Sequence, residues 1–193
     1  MMRAGWLRGA WAGAAAMLAL AGCATAPEPG AAAAIEPMPE SPLAFMFGEW
    51  RGTASVEGRG GQMIALTQTE RVGPMVGGDA TVMEGRGYGP GGDLQFNAFA
   101  VVSKSPAGGW EMRSYQGGNA GTFPFEPKAD GFVWSTPAGP HAVMRYTATF
   151  AGDRWDQIGE YVPAEGAPRK TFEMHLTRIG PSDWPRAGYV EMK

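Results

Sequence analysis

The chain has 193 residues, 44% hydrophobic and 18% charged, which is one domain's worth of sequence with enough apolar material for a core and excludes wholesale disorder. Its 16 basic and 19 acidic residues give a net charge of −3 and exclude the basic excess expected of a nucleic-acid binder. One Cys excludes an intramolecular disulfide, and two His argue against a multi-histidine metal site.

Residues 1–22 have the pattern of a secretory signal. Arg3 and Arg8 are their only charges, and an alanine-rich apolar stretch follows from Gly9 to Gly22. That stretch is shorter than the about 20 apolar residues of a spanning helix. It ends in Leu20-Ala21-Gly22-Cys23, which resembles the lipobox of bacterial lipoproteins. The resemblance implies cleavage before Cys23, acylation of its thiol and new amino terminus, and a membrane partner held through this residue. Several acyl chains, each contributing about 0.8 kcal/mol per buried methylene, make such an anchor stable. Ala24 in place of Asp implies the outer membrane, with the protein facing the periplasm. Ala24-Thr25-Ala26 also suits an ordinary secretory cleavage site, so a soluble secreted form is the alternative. Loss of Arg3 and Arg8 leaves 14 basic against 19 acidic residues, a mature charge of −5.

Residues 23–42 hold five prolines and an alanine run from Ala31 to Ala34, and nothing in them buries a face. They read as an extended tether. Ser41 to Phe47 reads as a short helical plug, with Ser41 as its N-cap and Pro42 in the first turn.

From residue 43 to about 180 the pattern becomes one of short alternating runs separated by turn chemistry. Ten strands are predicted, near 49–58, 62–72, 79–88, 93–104, 109–117, 119–126, 131–136, 141–150, 154–163 and 169–179. Turns such as Gly58-Arg59-Gly60-Gly61, Gly89-Pro90-Gly91-Gly92 and Gly152-Asp153 supply positive or fixed φ. The Gly152-Asp153 loop sets a register in which Phe150 faces Trp155, Tyr146 faces Gly159, Met144 faces Tyr161 and Arg145 faces Glu160. The oppositely charged pair supports that register. In the hairpin 79–88 with 93–102, Leu94, Phe96, Ala98, Ala100 and Val102 share one face. Ten antiparallel strands with one apolar face each must close or stack, and closure removes vulnerable edges. The expected fold is therefore all-β, an up-and-down antiparallel barrel of about ten strands, with a two-sheet sandwich as the rival. A barrel of this size has room for one small apolar ligand. Residues 181–193 are left as a C-terminal extension.

Gly48-Glu49-Trp50 opens the first strand and is similar to the Gly-x-Trp signature of the calycins, the lipocalins and fatty-acid-binding proteins among them. In that superfamily a late basic residue packs over the Trp at the closed end, and Arg178 in the last strand matches. The stretches Phe132-Val133-Trp134, Arg145 to Ala148, Trp155 to Tyr161 and Phe172 to Arg178 resemble an uncharacterised family of secreted calycin-like proteins. That likeness spans about residues 43 to 185 and implies a fold and almost no activity.

Nitrobindin, a ten-stranded calycin, binds haem through a His in its final strand, and this chain has His175 there. Strand parity opposes the reading. If Arg178 caps the barrel from inside, Phe172, Met174 and Leu176 share its face and His175 points out, unless a bulge intervenes. Tyr115, Tyr146 and Trp155 are candidate ligand contacts, with plain core packing as the alternative. Arg145 and Glu160 are candidates for a buried polar site, with an outward cross-strand pair as the alternative. Glu70, Glu84 and Arg86 fall within strands, at the rim or in the lumen, and Glu84 and Arg86 lie opposite Met83, toward solvent. No nucleophile elbow or metal-ligand spacing occurs, and the glycine-rich loops precede no helix. The expectation is a non-enzymatic binding barrel with no metal, cofactor or nucleic-acid partner. A filled barrel serving the cell envelope structurally, and a haem-binding barrel, remain as alternatives.

Overall fold

The computed structural model describes residues 41–184. Ten antiparallel strands close into one barrel: β1 (Gly48–Glu57), β2 (Met63–Met75), β3 (Ala80–Tyr88), β4 (Leu94–Lys104), β5 (Trp110–Gln116), β6 (Asn119–Lys128), β7 (Gly131–Pro137), β8 (Ala142–Ala151), β9 (Arg154–Pro163) and β10 (Arg169–Gly180). Each strand pairs with its neighbours in sequence, and β1 pairs with β10 to complete the ring. The up-and-down order follows from the short turns, which permit only antiparallel neighbours. The signal, Cys23 and the tether to residue 40 lie outside the described residues, as do residues 185–193.

The β8–β9 hairpin has the register that its two-residue loop dictates, with Phe150 opposite Trp155, Tyr146 opposite Gly159 and Arg145 opposite Glu160. In the β3–β4 hairpin, Ala100 and Val102 are buried, but Leu94 is 53% exposed. A register shift between Gly87 and Tyr88 carries Leu94 to the rim, so it does not share the inner face expected of it.

The chain enters at one end of the barrel and seals it. Ser41 Oγ accepts a hydrogen bond from the Leu43 amide at 3.2 Å, and a single 3₁₀ turn follows over Ala44–Met46, with Leu43 as its own N-cap. Leu43, Met46 and Phe47 are buried. They meet Trp50, whose indole N–H donates to the Met46 carbonyl at 2.9 Å. Trp50, Phe150 and Trp155 pack against one another with ring centroids 4.8 to 5.6 Å apart, and Phe132 joins them. Offset and edge-on ring pairs of this kind add about 0.5–1.5 kcal/mol each to the area they bury.

Arg178 locks the seal. Its guanidinium lies 4.0 Å from the centre of the Trp50 ring. Nη2 donates to the Phe45 carbonyl at 2.9 Å, Nη1 donates to the Phe47 carbonyl, and Nε donates to Asp153 at 3.0 Å. A planar fork can make all these contacts at once, which a lysine cannot. Gly48 has φ +148°, and a Cβ there would stand 2.7 Å from Arg178 Nη1. The glycine of the Gly-x-Trp motif thus leaves room for the arginine.

On the outer wall, residues 181–184 run against β2. The Trp184 ring sits 5.6 Å from the Arg71 guanidinium and 6.3 Å from the Phe99 ring.

Candidate ligand cavity

Beyond the sealed end the barrel is hollow. Its inner face encloses a cavity of about 460 Å³. Strand alternation decides which residues reach it. On β7, β8 and β10, Trp134, Tyr146 and Phe172 form an aromatic wall, with Trp134 and Tyr146 stacked at 4.3 Å and 10°. Trp155 and Phe132 continue that wall toward the seal. The facing strands β3, β4 and β5 present Gly85, Ala98, Ala100 and Ser114. Met83, Phe96, Phe99 and Met112 from the same three strands also border the cavity, and the four small residues among them leave the space that the aromatic side does not fill.

A polar strip crosses this apolar chamber. Gln68 and Glu70 project from β2, Ser114 and Gln116 from β5, and Gln157 from β9. Gln68 Nε2 donates to Glu70 Oε1 at 2.7 Å. Glu70 lies between Trp50 of β1 and Gly85 of β3 in the sheet register. A Cβ at residue 85 would come within 2.6 and 2.8 Å of the two carboxylate oxygens, so Gly85 makes the space that Glu70 occupies. Burial pushes the Glu70 carboxyl up from 4.5 to about 7. The Gln68 hydrogen bond works against that rise, and the negative charge of Glu84 adds to it. Glu70 keeps some accessible surface, but it lines the cavity, so low-dielectric walls still surround it. Burial likewise raises the Tyr146 phenol. The Trp155 indole N–H, also buried, finds no acceptor among the described residues.

Arg169 and Glu57 form an ion pair that also borders the cavity, and Arg169 lies 5.9 Å from the Tyr161 ring. A bulge between Lys170 and Phe172 lets Arg169, Thr171 and Phe172 all reach the lumen.

Of the residues named from sequence, Tyr146 and Trp155 line the cavity, and Trp50 and Arg178 meet at the sealed end. Three expected ligand contacts are corrected. Tyr115 is 52% exposed and borders a shallow outer groove with Asn97 and Phe99. Its neighbours Ser114 and Gln116 take the inward positions. Arg145 and Glu160 pair at 2.9 Å on the outer face, because Met144 and Tyr146 on either side of Arg145 point in. His175 also points out, 2.7 Å from Asp156 and 3.3 Å from Glu173. The bulge in β10 precedes His175 and leaves its parity intact, so no imidazole reaches the lumen from this strand. Glu84 and Arg86 pair with each other at 2.6 Å on the outside. Cys23 lies outside the described residues.

The cavity residue that sequence reasoning left undecided is Glu70. Its signal was present: Leu66 and Val72 are apolar at the same parity, so Gln68 and Glu70 between them share an inward face.

No protein-family model and no curated protein matches the chain. Among solved structures, the crystal structure of Rv2717c from M. tuberculosis superposes with a TM-score of 0.55 at 9% sequence identity. The match covers 72% of this chain and 98% of that one. At this identity the likeness establishes a shared β-barrel fold.

Proposed function

We propose that this chain is a lipid-anchored binding protein of the cell envelope whose barrel holds one small apolar or amphipathic molecule. The observation that carries the reading is the cavity of about 460 Å³ bordered by aromatic, methionine and small side chains. Ligand sites commonly have such volumes and such lining, apolar with a few fixed polar groups. A structural barrel has no use for a hollow of this size, since an unfilled core forfeits packing energy. The Leu20-Ala21-Gly22-Cys23 motif supports the anchor and an outer-membrane, periplasm-facing position. The chain enters the barrel at its sealed end.

The test is mass spectrometry of small molecules that co-purify with the protein, together with titration of the neutral fluorescent probe N-phenyl-1-naphthylamine. The expected result is a bound apolar molecule, or saturable probe binding that Ala100→Phe abolishes by filling the lumen. Protein that carries nothing and takes up no probe would end the carrier reading.

A further inference from the structure

Two carboxylates among the described residues border the lumen: Glu57, which is paired with Arg169, and Glu70, which has no compensating cation beside it. From the strands that flank Glu70, the facing positions are Trp50 and Gly85, neither of them charged. Glu84, on the outer face of β3, acts on Glu70 only across the sheet and with the wrong sign for a partner. Arg86 is engaged by Glu84, and Arg71 by Glu49 and Asp183, all outside the barrel. Among the described residues that border the cavity the only basic side chain is Arg169, and Glu57 already holds it.

Gln68 donates to one oxygen of Glu70. Each carboxylate oxygen has two lone pairs, so Oε2 is left free to accept. A Cβ at residue 85 would stand 2.6 and 2.8 Å from the two carboxylate oxygens, so the glycine leaves room for them on the β3 side. A lone carboxylate in an apolar chamber is costly unless something else pairs with it. Retaining Glu70 where alternation calls for an apolar residue is therefore an unfavourable choice for folding alone.

We propose, building on the carrier reading, that Glu70 is the head-group receptor of the lumen and that the ligand is an amphipathic amine, its ammonium paired with Glu70 and its apolar part against Trp134, Tyr146 and Phe172. The ligand supplies the cation that the barrel omits. The same carboxylate rejects a fatty acid, because two anions would then share one low-dielectric site. The selectivity is thus opposite in sign to that of a lumen furnished with a basic residue.

The pH dependence follows from the titration near pH 7. The ammonium of an alkyl amine stays charged well above that value, as a lysine does. Only ionised Glu70 pairs with it. Raising the pH from 6 to 8.5 takes Glu70 from mostly protonated to mostly ionised, so apparent affinity for the amine rises by about tenfold.

The experiment compares three probes with the same chain and different heads: dodecylamine, dodecanol and dodecanoate, each below its micelle concentration. Calorimetric titration uses the whole chain carrying Cys23→Ser, which keeps acyl groups out of the sample. The expected order at pH 8.5 is amine first, with dodecanoate weaker by on the order of tenfold or more. Glu70→Gln is expected to erase the preference while dodecanol still binds. Should that variant not fold, the pH profile of the unsubstituted lumen is the second readout. Equal binding of the three heads, a preference for dodecanoate, or a pH-independent amine affinity would overturn the proposal and leave the carrier reading standing. Failure of all three probes to bind would overturn both.

Discussion

The two halves of this barrel are made from the same strands and behave differently. At the sealed end Leu43, Met46, Phe47, Trp50 and Trp155 are almost wholly buried and the rings touch. Beyond that end, Gly85 of β3, Ala98 and Ala100 of β4 and Ser114 of β5 face an aromatic wall across open space. The alternation is the same in both halves, and only the size of the inward side chain differs. Alternation therefore makes a barrel, while side-chain volume decides whether a given level of it is core or chamber.

The largest effect should come from breaking the sealed end. Trp50→Ala removes the ring shared by Phe150, Trp155 and Arg178 and is expected to cost about 3–5 kcal/mol in denaturant unfolding. Loss of less than about 1 kcal/mol would show that this end is not the stabilising half. Arg178→Lys retains the charge but not the fork. It leaves at least one of the Phe45 and Phe47 carbonyls without its donor and should cost about 2 kcal/mol.

The hollow half should respond in the opposite direction. Glu70 ionises near 4.5 when unfolded and near 7 in the barrel. The folded state therefore holds its proton over that window. Its contribution to stability is complete below about pH 4.5 and declines as pH rises through 7. Glu70→Gln should remove this slope and stabilise the ligand-free protein by about 2 kcal/mol at pH 8, with little effect at pH 4. Equal thermal shifts at both pH values would show that Glu70 titrates normally. Gly85→Ala sharpens the point within the lumen. Its methyl group meets the Glu70 oxygens, so it should displace the carboxyl and weaken amine binding while dodecanol binding changes little.

The smallest effects belong to the outer wall. Arg145→Ala breaks a partly exposed pair and should cost less than about 1 kcal/mol, with probe binding unchanged. His175→Ala should be similarly mild and leave any absorption spectrum of added haem unaltered. A lost haem band would place the imidazole in the site after all.

The β8–β9 register was legible because it is local. A two-residue loop fixes the pairing of Ala151 with Arg154, and every later pair follows by counting. The closing contact was legible as a resemblance, from Gly48, Trp50 and Arg178, because few residue types satisfy an indole face and two carbonyls together. Tyr115 was misplaced because an aromatic ring in a strand has no sidedness until its parity is counted against its neighbours. Met112, Ser114 and Gln116 set that parity, and two of the three are polar, so residue type pointed the wrong way. Arg145 and Glu160 had their pairing written in the hairpin, but whether the pair faced in or out depended on which face the rest of the ring buried. The same uncertainty hid Glu70, since a charged residue in a strand is most often at the surface.

By itself, the amino-acid sequence determined the number of strands, their order and their antiparallel pairing, because period-two alternation and glycine-rich turns act over a few residues. It also carried, in Leu20-Ala21-Gly22-Cys23, a resemblance to the lipobox. Only the tertiary structure decided that the lumen is hollow beyond the seal and that Glu70 stands inside it with no cation beside it among the described residues. Both depend on sums over the whole ring, the volume of opposing side chains and the charges that reach a common interior, and neither quantity exists until β1 meets β10.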